Sequence, residues 1–232
     1  MTKMTRTLLV GIGAMVAFGT LPACSGGSST EATPTSQATT TTAAAFPQSA
    51  RYVADMKSAD GKSMTIGLAV EGADVAAYAC NGTDDEAWFF GSQTDGRIDL
   101  TSRFRDTLMA EFDGADLEGN LMMNGVAYDF TALPVSGPAG MYTAEADGVR
   151  ASWVVREDGS SIGVQFRTDS VGDITQAEIQ QLADAQFRAQ VRNKRQLQQA
   201  QQITRLSDGR MSSTINGTQA TPTLVTGSFR LG

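Results

Sequence analysis

The sequence predicts a mainly β protein: an antiparallel, hairpin-rich meander, closed as a small barrel or stacked as a sandwich, then one long C-terminal α-helix and a terminal hairpin. Three observations predict it. Asp60-Gly61, Asn81-Gly82, Asp95-Gly96, Asp113-Gly114, Asn124-Gly125, Asp147-Gly148 and Asp158-Gly159 punctuate residues 48–168, and such pairs supply the positive φ angles that tight hairpins require. Short runs of strand-like alternation lie between them. From Gly172-Asp173 the texture changes, with no Gly or Pro until Gly209 and apolar residues at roughly helical spacing.

Taken in order, the chain opens with Lys3 and Arg6, followed by a mostly apolar stretch over residues 7–21 that Gly11, Gly13 and Gly19 interrupt. That is the layout of an export signal, and it is short for a membrane span of about 20 residues. It ends in Leu21-Pro22-Ala23-Cys24, which resembles the lipobox of bacterial lipoproteins. The resemblance implies cleavage before Cys24, acylation of its thiol and amine, and anchoring at the outer face of the cell membrane. Two or more acyl chains make such an anchor stable, at about 0.8 kcal/mol per buried methylene.

Residues 24–47 are rich in Ser, Thr and Ala, carry the single charge Glu31 and have no large apolar side chain before Phe46. Such a segment cannot offset its ordering entropy by burial and is expected to be a disordered tether. As a flexible coil it would span about 26 Å. Its threonine run also suits O-glycosylation.

The meander follows over residues 48–168. Met64, Ile66, Leu68 and Val70 share one strand face, and residues 75–80, 87–90, 108–112, 126–130, 151–155 and 162–166 are further strands. The clearest hairpin runs from Leu121 to Tyr128, where Asn124-Gly125 sets Met123 opposite Val126. The runs Gly67-Leu68-Ala69-Val70, Ala77-Tyr78-Ala79-Cys80-Asn81-Gly82, Glu86-Ala87-Trp88-Phe89 and 121–130, together with the Thr/Ser/Ala spacer, are similar to exported threonine-rich lipoproteins of mycobacteria and related actinobacteria. That similarity implies location and fold rather than an activity.

The helix is expected over residues 173–206, with Asp173 and Gln176 as a capping box, early acids and late bases. At 1.5 Å per residue it would be about 50 Å long. Ile179, Leu182 and Phe187 lie on its apolar stripe, which would dock on the β domain or meet another chain. Residues 210–232 form the terminal hairpin around Asn216-Gly217.

Composition narrows the function. Loss of residues 1–23 removes two of the 18 bases and none of the 25 acids, leaving a net charge of −9, which argues against nucleic acid as a partner. With no histidine, Ser-His-Asp and Cys-His mechanisms and His-ligated zinc are out. Cys80 has no disulfide partner once Cys24 is acylated, and reads as a buried core residue. Gly159-Ser160-Ser161-Ile162-Gly163 has the G-x-S-x-G form but follows a turn and leads into a strand, not a helix. The acids Asp84, Asp85 and Glu86, and likewise Asp113, Asp116 and Glu118, read as solvated turn residues without calcium-loop spacing. No cofactor or metal is expected, and no enzyme. The reading is a non-enzymatic binding module for an envelope lipid, glycan or protein, with Leu68, Trp88 and Phe130 lining an interior cavity. The alternative is a structural or assembly protein acting through Ile179, Leu182 and Phe187.

Overall fold

Local turn chemistry sets the course of the chain. In the computed structural model, which describes residues 45–168 and 195–231, four two-residue turns carry positive φ at both positions: Asp95-Gly96, Asn124-Gly125, Asp147-Gly148 and Asn216-Gly217. That is the type I′ turn, whose twist matches the flanking strands. At Asn124-Gly125 it places Met123 opposite Val126.

Eight strands form a closed antiparallel barrel in chain order. They are β1 (Ser49–Lys57), β2 (Ser63–Glu71), β3 (Asp74–Cys80), β4 (Glu86–Thr94), β5 (Arg97–Thr101), β6 (Thr107–Phe112), β7 (Leu117–Met123) and β8 (Val126–Pro134). Pairing of Tyr52 with Pro134 and Val53 with Leu133 closes the ring. Alternate residues fill the interior, including Leu68, Phe89, Leu108 and Leu121, all fully buried; an eight-stranded barrel is just wide enough to be filled this way. Phe46, placed in the tether by composition, is buried: it stacks on Phe112 at 4.6 Å, and Tyr52 sets its edge against both rings.

The meander then leaves the barrel. β9 (Gly140–Ala146), β10 (Val149–Val155) and β11 (Ser161–Arg167) form a second sheet, flanked by β12 (Gln198–Gln199) and β16 (Thr223–Leu224). A third sheet joins β13 (Thr204–Arg205), β14 (Met211–Ile215) and β15 (Thr218–Ala220). The second sheet is apolar on both faces. Tyr142, Val149, Ala151 and Trp153 meet Ile203, Met211 and Ile215 of the third sheet and its approach. Met141, Val154 and Val164 meet Ala69, Ala76, Tyr78 and Cys80 on the outside of the barrel. Small residues make this close approach possible, since a Cβ at Gly67 would stand 2.5 Å from Met141 Cγ. Arg156 ties the two sheets at one end through Asp55 and Thr65.

The expected helix over 173–206 is overturned. The described residues contain no helix, and 195–206 run from a turn at Arg195 into the short strands β12 and β13. The reason lies in where their backbone groups go. The carbonyl of Gln201 accepts from Trp153 Nε1 at 2.8 Å, and Ser213 Oγ donates to the carbonyls of Gln201 and Gln202; a helix would commit those oxygens to the following turn. Ala200 and Ile203 are buried against the second sheet instead. Residues 1–44, with Leu21, Pro22, Ala23 and Cys24, and residues 169–194, with Ile179, Leu182 and Phe187, lie outside the described residues.

Candidate functional site: a cleft between barrel and second sheet

Alternation along β4 divides its residues between two environments. Ala87 and Phe89 point into the barrel core; Glu86, Trp88 and Phe90 point outward, toward the second sheet. Across from them the ladder aligns Glu145 with Arg150 and Arg150 with Phe166. These two rows wall a cleft of about 890 Å³, a volume in the usual range for small-molecule sites. Its rim is made by the β5–β6 loop, carrying Arg103 and Phe104, and by Phe229, Arg230 and Leu231 near the C-terminus.

The loop is held by Ser102, whose Oγ donates to Asp106 Oδ2 at 2.7 Å and accepts from the amides of Phe104 and Asp106. The rim at the other side lies across the β2–β3 hairpin. There Ser228 Oγ donates to Glu71 at 2.7 Å and Arg230 pairs with Asp74 at 3.2 Å.

Glu86 sits at the floor, 1 % exposed. Arg195 reaches it at 3.1 Å and also donates to its main-chain carbonyl at 3.2 Å, while the guanidinium stacks over Phe104 at 4.3 Å. Arg150 stands 4.0 Å from the same carboxylate oxygen and stacks over Phe166 at 4.8 Å. Burial pushes the Glu86 carboxyl above the usual carboxylate range, although both arginines pull the other way. Trp88 packs on Tyr78 at 4.6 Å and on Phe90 and Phe229, each at 5.5 Å. Its indole N–H is buried and lacks an acceptor among the described residues, and Arg150 Nε is likewise buried without one. The cleft thus offers cationic donors at one end and an aromatic wall at the other.

The residues expected to line one interior cavity are divided by this geometry. Leu68 and Phe130 belong to the barrel core, which side chains fill, whereas Trp88 lies outside it. Phe130 also floors a shallower groove on the outside of β5–β8, where Gly119 leaves room for its ring. Glu86 is not the solvated turn acid that its neighbours suggested, and Arg195, within the span expected to be helical, is buried. The signal for Glu86 was the alternation of the run that starts at it. Arg150 and Arg195 had no local signal, because distant segments bring them to Glu86.

Other candidates take the roles that composition suggested. Cys80 is fully buried and its thiol is pushed up to about 12 by desolvation, which makes it inert. Ser161 of the G-x-S-x-G stretch opens β11 and bonds to Gln202 at 2.9 Å. Asp113 accepts the amides of Ala115 and Asp116 and so caps its own turn. Among the described residues no cluster of three or more acidic or cysteine side chains could hold a metal, and no helix is long and apolar enough to cross a membrane. Comparison with known protein families, curated proteins and solved structures gives no match.

Proposed function

We propose that this chain is an exported lipoprotein, anchored by acylated Cys24 and held off the membrane by its Ser/Thr/Ala-rich spacer, whose folded part binds an envelope lipid or glycan in the cleft between barrel and second sheet. The observation that carries the binding reading is the wall of that cleft: aromatic rings beside arginines, with the buried indole N–H of Trp88 lacking an acceptor. Buried donors in folded proteins are almost always paired, and a ligand acceptor would pair this one. The lipobox motif supports the anchor. Binding rather than turnover fits a chain without histidine in which the floor carboxylate of Glu86 is tied to an arginine.

The test is intact mass spectrometry of the protein purified from its own membranes, before and after organic extraction, beside a Cys24→Ser form. The expected result is a chain beginning at Cys24 with two or three acyl groups, lost in the Ser form, plus a separate extractable mass. An unmodified chain would overturn the anchor. An acylated chain with nothing extractable, and no binding to envelope lipid or glycan extracts, would overturn the binding role.

A further inference from the structure

We infer, resting on the binding reading above, that the ligand of the cleft is an amphiphile with one acidic group, a phosphate or a carboxylate. Its acid lies against Arg150 and the Trp88 indole N–H, and its apolar part lies along Phe90, Phe229 and Leu231.

The electrostatics of the floor point to an acid. Among the described residues lining the cleft the acids are Glu86 and Glu145, and Glu86 Oε1 is taken by Arg195 at 3.1 Å. Arg150 is left with a contact of 4.0 Å to that same oxygen, too long for a hydrogen bond. Its side chain is only 17 % exposed, and its Nε has no acceptor. Glu145 stands opposite Arg150 in the ladder but is solvent-exposed and makes no ion pair with it among the described residues. A guanidinium removed from water without a full counter-charge is costly. On the rim, Arg103 makes no ion pair among the described residues and adds a second positive charge. Arg230, by contrast, is matched by Asp74. The local excess is therefore positive in a chain whose net charge is −7.

The kinds of atom that lack partners sharpen the reading. Trp88 Nε1 and Arg150 Nε are donors only, so what each lacks is an acceptor. Glu86 Oε2 is also unpartnered, and an acidic ligand bearing a proton or a neighbouring hydroxyl would meet it. Charge-assisted bonds to an arginine fork favour carboxylate and phosphate over neutral oxygens. Along β4 the wall then changes from the polar Glu86 through the amphipathic Trp88 to Phe90, and Phe229 continues it at 6.2 Å from Phe90. One end of the cleft is built for an acid and the other for an apolar body.

The experiment is isothermal titration of the mature chain with four probes below their aggregation concentrations: dihexanoyl phosphatidic acid, decanoate, dihexanoylglycerol and inorganic phosphate. The expected result is that one or both amphiphilic acids bind at least tenfold more tightly than dihexanoylglycerol and than phosphate. Which of the two is preferred separates a phospholipid source from a fatty-acid source. Arg150→Gln should weaken the acids by roughly tenfold or more, as loss of a charge-assisted bond does, with Arg150→Lys intermediate. Trp88→Phe keeps an aromatic ring, though a smaller one, removes the donor and should weaken them several-fold. Arg97→Gln, in the separate groove over β5–β8, should leave binding unchanged. If dihexanoylglycerol binds as tightly as the acids, or if folded Arg150→Gln and Trp88→Phe bind both acids like the parent, the acidic-ligand inference is overturned while the cleft remains a binding site. If none of the four probes binds, the inference is overturned. The binding role itself falls only if native protein also yields nothing on extraction and takes up no envelope extract.

Discussion

The two faces of β4 differ in what their neighbours require of them. Ala87 and Phe89 enter a barrel core closed to water and filled by hydrocarbon. On the opposite face of the same strand, Glu86, Trp88 and Phe90 face arginines, rings and buried polar atoms without partners. The inner face satisfies itself and stabilises the fold. The outer face leaves buried donors without partners, and the proposed binding role rests on them. On that proposal, one strand separates folding from recognition by the alternation of its side chains.

That separation can be broken by substitution. The largest expected effect is on the inner face: Phe89→Ala should lower the unfolding free energy by about 3–5 kcal/mol, read by urea denaturation, without changing probe affinity under conditions where the variant is folded. A parallel loss of affinity in the folded fraction would mean the faces are coupled.

Next comes the floor of the cleft. Arg195→Met strands Glu86 in a buried site and should cost about 3 kcal/mol near pH 8. Because burial already holds the folded carboxyl above its ordinary value of 4.5, the unfavourable contribution of ionised Glu86 grows as pH rises above 4.5 and is absent below it. The deficit of the Met variant should accordingly shrink in melts at pH 4. A deficit independent of pH would show that Arg195 acts through its stacking on Phe104 and not through charge.

Smaller still is Gly67→Ala. A Cβ there presses on Met141, whose flexible side chain can give way, so the expected cost is about 1 kcal/mol. Thermal melts should show it as a modest shift. A loss several times larger would mean that the barrel and second sheet meet in a rigid seam. Trp88→Phe removes an unpaired donor but also part of a buried indole packed on Tyr78, so it should cost only about 1 kcal/mol, well below Phe89→Ala. Its effect should show in binding, the reverse of Phe89→Ala.

Much of the hairpin pattern was legible because it is local: Asn124-Gly125 and Asp147-Gly148 fix their turns through their own φ angles. The partition of strands between barrel and second sheet was not, since β2 and β3 are buried on both faces and offer little polar alternation to read. The non-helical course of residues 195–206 was illegible for a related reason. Leu197, Ile203 and Leu206 fit a helical stripe as well as an extended path, and strands of two residues such as β12 and β13 are too short to show a period. Absence of Gly and Pro permits a helix without demanding one; Trp153, some 50 residues upstream, takes the Gln201 carbonyl. The cleft was legible only in part. Trp88 stood out as an aromatic on a strand, but its partnership with Arg150, Arg195 and Phe229 depends on the meeting of four distant segments.

The seam between β1 and β8 also bears on time. Seven of the barrel's ladders join neighbours in sequence, and the eighth joins Tyr52 to Pro134. Pairings this distant pay loop-closure entropy before they gain contacts and form late. Until they do, β1 and β8 present open edges of the sort that recruit strands from other molecules. Once the ring shuts, neither barrel edge is left open. The interval before closure, rather than the finished protein, is when two copies of this chain are most prone to stick together.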